Sequence, residues 1–150
     1  MIQTKIINNM TEFSDYTQIV SLLKEQMEYI GTPKTRENIK DTIKLMFKTD
    51  HTNLMVLENN GHLYGFVFFN VAIGLQSSGK YLWLNEMHIH SAYRGKGYGT
   101  MLFDGLKAWA KDNGVCRIMG IIDNVDSRTR DFYLKQGTEV YKEEILSIEL

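Results

Sequence analysis

The sequence has one cysteine, one proline and no long apolar run, and each shortage excludes a class of protein. Cys116 has no partner for an internal disulfide, so noncovalent packing alone must hold the fold. Charged or polar residues interrupt every hydrophobic stretch well short of the roughly 20 residues that cross a bilayer. The opening MIQTKIINNM also lacks the apolar core of a secretory signal. Together these features predict a soluble, cytoplasmic protein with no membrane partner. Charge of one sign is equally scarce: 17 Lys and Arg stand against 18 Asp and Glu, for a formal net charge of -1. With no block of basic residues, the chain offers no electrostatic footprint for nucleic acid.

What the sequence does contain is a core. Its 150 residues are 43% hydrophobic and 23% charged, the size and mix of one globular domain over residues 1–150. A short strand is predicted over Lys5 to Asn8. Ile19, Val20, Leu23, Met27 and Ile30 then recur at helical spacing after Ser14, a candidate N-cap. Ile39, Ile43, Met46 and Phe47 do the same after Thr35, and the Gly31-Thr32-Pro33 turn separates the two helices. From Asn53 to Ile73 two apolar runs flank Asn60-Gly61, a pair suited to a hairpin turn. Another strand follows over Tyr81 to Ile89. A glycine-rich turn leads to a helix whose Met101, Leu102, Leu106, Trp109 and Ala110 share a face, with Gly114 as its stop. A strand over Val115 to Ile122, a helix from about Ser127 to Gln136 ending at Gly137, and a last strand over Val140 to Leu150 complete the chain. The predicted order is β-α-α-β-β-β-α-β-α-β, a mixed α/β fold.

The chemistry concentrates where a strand ends and Arg94-Gly95-Lys96-Gly97-Tyr98-Gly99 precedes an amphipathic helix. Glycines let backbone amides approach an anion, and a helix N-terminus adds free N–H donors and a favourable dipole. A pyrophosphate suits that environment. The P-loop pattern of Gly, four residues, then Gly-Lys-Ser/Thr is absent, and the dinucleotide pattern needs a different spacing from Gly95, Gly97 and Gly99. Three glycines and two cations at a helix start weigh against a turn that holds nothing.

Arg94, Gly97 and Gly99 fit the signature of Gln or Arg, two residues, Gly, one residue, then Gly or Ala, and here the chain resembles the GNAT superfamily of acyl-CoA-dependent N-acyltransferases. A second family signature, an aromatic-Tyr pair near a helix end followed by glycine, is similar to Phe132-Tyr133-Leu134-Lys135-Gln136-Gly137. The element order agrees as well, so the resemblance covers nearly the whole chain. Two positions depart from the pattern: Thr138 stands where phenylalanine is frequent, and Asp126 stands where asparagine is frequent, leaving Asn124 or Asp126 for that role.

The resemblance implies a GNAT-like mixed central sheet and direct transfer of an acetyl group from acetyl-CoA to an amine, without a covalent enzyme intermediate. It implies that the backbone around Met87 and Ile89 pairs with the pantetheine arm and polarises the thioester. Amides of Arg94, Gly95, Lys96, Gly97, Tyr98, Gly99 and Thr100 would hold the pyrophosphate, with Asn124 and Tyr133 contributing to the cofactor site. Tyr133 becomes the general-acid candidate for the departing thiolate. The amine acceptor belongs to a small molecule or a protein, and the chain acts as a monomer or a homodimer. The alternative reading is a non-catalytic acyl-CoA-binding or sensing module on the same fold.

For activation of the amine the candidates are Glu86, His88 and His90, with Glu86 acting through water preferred. Strict alternation places all three with Leu82 and Leu84 on one face, and Trp83, Asn85 and Met87 on the other. A bulge, which the resemblance implies for this strand, would change that assignment. His88-x-His90 lacks further ligands at metalloenzyme spacing, so no metal is expected. Cys116 and both tryptophans read as packing residues. Glu25, Glu28 and Tyr29 either face a cationic acceptor or form a solvated helix face.

Overall fold

A left-handed Asn60-Gly61 pair closes the first tight hairpin, with φ of 49° and 81°. That is the backbone a type I′ turn demands. It joins β2 (Thr52–Asn59) to β3 (His62–Gly74), and a second turn through Ser78, φ 53°, returns the chain into β4 (Gly79–Ile89). The structure, a computed structural model, describes residues 1–122 and 127–150. Among them the remaining elements are β1 (Gln3–Ile7), α1 (Tyr16–Tyr29), α2 (Arg36–Phe47), α3 (Tyr98–Asp112), β5 (Val115–Gly120) and α4 (Ser127–Lys135). The five strands form one sheet in the order β1-β2-β3-β4-β5, antiparallel throughout except for the parallel β4–β5 pair. The chain therefore adopts the expected mixed α/β fold.

Caps explain the helix boundaries. Thr35 accepts from the Asn38 N–H at the start of α2, as its position suggested. At α1 the cap is Asp15, not Ser14: its carboxylate accepts from the Thr17 N–H at 2.9 Å. Ser14 instead donates to the Gly61 carbonyl across the hairpin turn. Gly114, φ 72°, ends α3 in the left-handed conformation that a side chain resists.

The sheet is buried on both faces. One face packs Ile7, Leu54, Val56, Leu63 and Phe66 against Ile19, Val20 and Leu22 of α1 and Ile39, Ile43 and Met46 of α2. The other packs Met55, Leu57, Val67, Phe69 and Leu82 against Leu102, Phe103, Leu106 and Ala110 of α3. Trp109 fulfils its packing role, its ring edge-on to Phe69 at 4.9 Å. Each fully buried large apolar side chain contributes roughly 1.5–3 kcal/mol.

Two further expectations fail. Residues 138–150 join no strand, so the strand predicted over Val140 to Leu150 is not formed. Its apolar side chains read as a strand, but alternation is a statement about periodicity and does not supply a neighbour to pair with. Cys116 is exposed, not core. Register shifts from Lys80↔Val115 to Tyr81↔Arg117, which leaves Cys116 as the extra residue of a bulge. Its thiol donates to the Lys80 carbonyl at 3.1 Å.

The sheet admits no side chain at position 65. A Cβ on Gly65 would lie 2.5 Å from the His88 carbonyl oxygen, which is backbone and cannot swing away. Gly65→Ala should therefore lower stability by about 1–3 kcal/mol through overpacking and displace the end of β4. Urea denaturation checks the stability change, and a midpoint equal to the parent's would show that the two strands separate freely here.

Candidate active site

The site begins with an extra residue in β4. Phe68 pairs with Glu86 but Phe69 pairs with Leu84, so Asn85 has no opposite number. Its side-chain amide donates to the side-chain Oδ1 of Asn70 on β3, which anchors the bulge. The alternation of faces consequently reverses at this point. Leu82 and Leu84 face α3, and beyond the bulge Met87 and Ile89 take over that face. Glu86 and His88 turn instead toward α1, where Gln26 and Glu25 meet them. The grouping of Glu86, His88 and His90 with Leu82 and Leu84 is thus corrected.

Just beyond the bulge the sheet splits. The last β4–β5 pair is Leu84↔Gly120, and residues 85–89 have no strand on that side among the described residues. The His90 N–H donates to the Tyr64 carbonyl of β3, so the alternating amides of Met87 and Ile89 point the other way, into the gap. The Ile89 carbonyl there already accepts from Arg94 Nε at 3.2 Å. Met87 and the Ile89 N–H supply the edge to which an extended arm can add.

The glycine turn closes the far end of the gap. Gly95 and Gly97 have φ of 75° and 79°, and a Cβ at either would meet nothing within 4 Å. Their glycine requirement is conformational, and the space beside them is open. Gly97 caps α3 without a side-chain hydrogen bond, and the Met101 N–H takes its carbonyl. The Tyr98, Gly99 and Thr100 N–H groups precede the first full helical turn and have no carbonyl partner within the helix, the arrangement at which an anion can be held. Gly99 has a different reason: a Cβ would lie 3.1 Å from the Phe132 ring of α4. The Lys96 ammonium sits 5.6 Å above the Tyr93 ring, at the mouth of the turn.

The charge of Glu86 reaches Tyr133 across the split sheet. Gln26 Nε2 donates to Glu86 Oε2 at 2.8 Å, while burial raises the carboxyl above its ordinary pKa. Tyr133, on α4, packs edge-on to Phe103 and Phe132. Burial, assisted by the Glu86 charge, pushes its phenol up to about 12. A group on the α1 face and one on the α3 face can sense each other because no backbone separates them beyond Leu84 and Gly120. Gln26 was not anticipated, yet it had a signal: it falls seven residues after Ile19, a polar residue on the inward stripe.

His88 and His90 are tied into a polar cluster behind this pair. Glu25 Oε1 accepts from His88 Nε2 at 2.9 Å and from the Ser91 N–H at 2.8 Å. Arg94 donates to His88 Nδ1 at 3.4 Å and stacks on Tyr29, 4.8 Å from the ring centroid. A ring that donates at one nitrogen and accepts at the other is neutral. Burial accordingly holds His88 below its ordinary pKa, against the upward pull of Glu25. At Glu25 burial pushes upward, but the bonds from His88 and Ser91 outweigh it and the carboxyl lies low. His90 Nδ1 accepts from the Ala92 N–H, and its Nε2 lies 3.7 Å from Glu25. Both histidines therefore hold structure together, as does the Arg94 side chain, which turns away from the cradle. Glu28 pairs with Lys24 on the surface.

Asn124 and Asp126 lie outside the described residues. Among the described residues no cluster of His, Cys, Asp and Glu could hold a metal ion, and no helix is long and apolar enough to cross a membrane.

The cluster makes stability depend on pH. His88 has a folded pKa below its unfolded value of about 6.5, so its contribution is complete above that pH and is lost as pH falls. Glu25, also depressed, adds a second loss at lower pH, below its unfolded value. His88→Gln keeps a donor toward Glu25 but does not titrate. Urea midpoints at pH about 7.5 and about 5.5 should differ less in this variant than in the parent. An equal acid-induced drop in both proteins would remove His88 as the cause.

Comparisons with known proteins bear on the family and the fold. The model of the Acetyltransferase (GNAT) family matches residues 16–138. Tyramine N-feruloyltransferase 4/11 of Nicotiana tabacum is 28% identical over 80 residues, 53% of this chain and 34% of that protein, so the match spans about a third of the relative's length. An aminoglycoside N-acetyltransferase in complex with CoA superposes with a TM-score of 0.80 at 14% identity, covering 99% of this chain and 95% of that one. A transcriptional regulator from Bacillus halodurans C-125 superposes with a TM-score of 0.84 at 19% identity, covering 99% and 100%. At such identities the superpositions show the fold alone. The family match rests on the sequence itself over most of its length, and the chain belongs to the GNAT acetyltransferase family.

Proposed function

We propose that this chain is an N-acetyltransferase that moves an acetyl group from acetyl-CoA to a primary amine of a small molecule or protein, with residues 1–150 acting as one domain. The observation that carries the reading is the parting of β4 and β5 after Leu84, which leaves a free strand edge at Met87 and Ile89 next to the uncapped start of α3. The site fits an acyl-CoA on three counts: a free strand edge at Met87 and Ile89, left-handed glycines with open space beside them, and uncapped amides at residues 98–100. When bound, the acyl-CoA supplies the acyl group as a thioester and departs as a thiol.

The chain's residues then divide the work. Glu86, its pKa raised by burial, accepts through water the proton that an ammonium must lose before its lone pair can attack. The edge amides at Met87 and Ile89 donate to the carbonyl oxygen as charge develops there. As the carbon–sulfur bond breaks, the Tyr133 hydroxyl hydrogen-bonds the sulfur and relays to it the proton that the nitrogen loses in becoming an amide. A phenol near pKa 12 stays protonated at every working pH. It is a weaker acid than a thiol of ordinary pKa about 8.5, so it acts through a strong hydrogen bond as the charge appears. The Glu25 cluster carries no proton in this scheme.

The direct experiment incubates the protein with acetyl-CoA and a panel of amines while free thiol is measured. The panel contains polyamines, aminoglycosides, peptides with free amino groups, and tyramine, the last because of the Nicotiana relative's name. Thiol release that depends on one amine class supports the enzyme. Saturable CoA binding with no release across the panel would favour the binding or sensing module.

Two substitutions test the assigned roles. Tyr133→Phe keeps the ring in its aromatic contacts and removes the proton, so kcat should fall by roughly 10²–10⁴ with CoA affinity little changed. Turnover within about threefold of the parent, where chemistry limits the rate, would remove Tyr133 as the acid. Glu86→Gln should lower kcat most at low pH, where the amine is protonated, and recover as pH rises. A loss of equal size at every pH would assign Glu86 a structural role.

A further inference from the structure

Glu86 is held by one of its two oxygens. Gln26 Nε2 donates to Oε2 at 2.8 Å, and among the described residues no donor meets Glu86 Oε1 or Gln26 Oε1. No buried side-chain oxygen among them is left without a partner, so both of these oxygens reach solvent. Gln26 itself is only 7% exposed, on a helix whose Ile19, Val20 and Leu22 are sealed against the sheet. A buried amide is costly unless it is bonded, and an apolar side chain would fill this position without that cost.

The amide suits a base better than a charged neighbour would. A cation at position 26 would hold Glu86 ionised and weaken its pull on a proton, and a carboxylate would compete with it for one. The neutral amide bonds the ionised form and does neither. The other titratable groups around the pair leave it free to act: His88 is neutral, Glu25 is committed to His88 and Ser91, Arg94 bonds His88, and Tyr133 on α4 keeps its proton. β3 presents Phe68 opposite Glu86. With Nε2 committed to Oε2, the amide oxygen on the same carbon lies beside a carboxylate that has a second oxygen to spare. Two neighbouring acceptors suit one water that donates a hydrogen to each, which leaves its lone pairs for an N–H donor.

We propose that Gln26 is the positioning residue of the base: through Nε2 it holds Glu86, and through Oε1 it orients the water by which the acceptor ammonium loses its proton. The inference rests on the acyltransferase reading. In this step an ammonium N–H bond breaks toward the water oxygen, and the electron pair stays on nitrogen. The water passes one of its own hydrogens to Glu86 Oε1. The resulting carboxylic acid can donate to Gln26 Oε1, so the amide receives both protonation states. The proton leaves to solvent after turnover.

Two readouts test the role. At 17.4 kDa the carboxyl resonances of the ¹³C-labelled protein can be titrated by NMR, with Glu86 assigned by its loss in Glu86→Gln. Gln26→Leu removes a bond that favours the ionised form, so the Glu86 carboxyl should titrate at higher pH than in the parent. Gln26→Glu adds a like charge and should move it higher still. Gln26→Asn keeps the amide but shortens its reach, and should act like Gln26→Leu even where the leucine variant fails to fold. The second readout uses acetyl-CoA and the amine of the panel that releases thiol fastest. The variants should lose roughly tenfold or more in kcat, part of the 10²–10⁴ that a positioned base contributes, with CoA affinity unchanged. In Gln26→Glu the acid limb of the kcat profile should move to higher pH along with the NMR midpoint. A Glu86 titration unmoved in every variant, or a loss of equal size at every pH, would overturn the role of Gln26 and leave acyl transfer standing. Absence of thiol release from the parent with every amine would overturn the acyltransferase reading, and this inference with it, whatever the titration shows.

Discussion

The extra residue at Asn85 is the constraint on which the site depends. Without it, β4 would keep one face for Leu82, Leu84, Glu86 and His88, and a carboxylate would point into the apolar packing of α3. With it, the first half of the strand serves one core and the second half serves a polar interface with α1. The same stretch has lost β5, which leaves the strand after Leu84. Unpaired backbone amides and a buried carboxylate are costly on their own. Here Gln26 satisfies part of the carboxylate, and the amides face a gap that a ligand can fill.

The cluster around His88 connects parts of the chain that lie far apart in sequence. Glu25 bonds a histidine of β4 and the amide of Ser91, three residues before Arg94. Arg94 in turn takes the carbonyl of Ile89 and the ring of Tyr29. Helix α1, the end of β4 and the entry to the glycine turn are thereby held as one unit. The conspicuous basic residue of the signature works through its side chain as a brace, and the proposed function leaves the anion to the backbone amides of residues 98–100.

Much of this was legible because it follows from local rules. The Asn60-Gly61 hairpin, the Thr35 cap and the glycine stop at residue 114 each rest on backbone conformations that particular residues favour. The glycine turn before α3 was legible for the same reason. What escaped depends on neighbours distant in sequence. The bulge at Asn85 is a matter of register with β3, which alternation within one strand cannot express. Cys116 looked apolar in a strand but falls on a second bulge. Gln26 and Glu25 gained their roles only when α1 packed against β4. The segment after Gly137 kept the composition of a strand while finding no partner in its own sheet.

The central claim is that the gap between β4 and β5, closed by the turn before α3, receives an acyl-CoA along backbone edges. Hydrogen–deuterium exchange with and without acetyl-CoA reads those amides one region at a time. Slowed exchange confined to Met87 through Ile89 and Gly95 through Thr100 is the expected pattern. Unchanged exchange in both regions at saturating acetyl-CoA, with protection elsewhere on the chain, would contradict it.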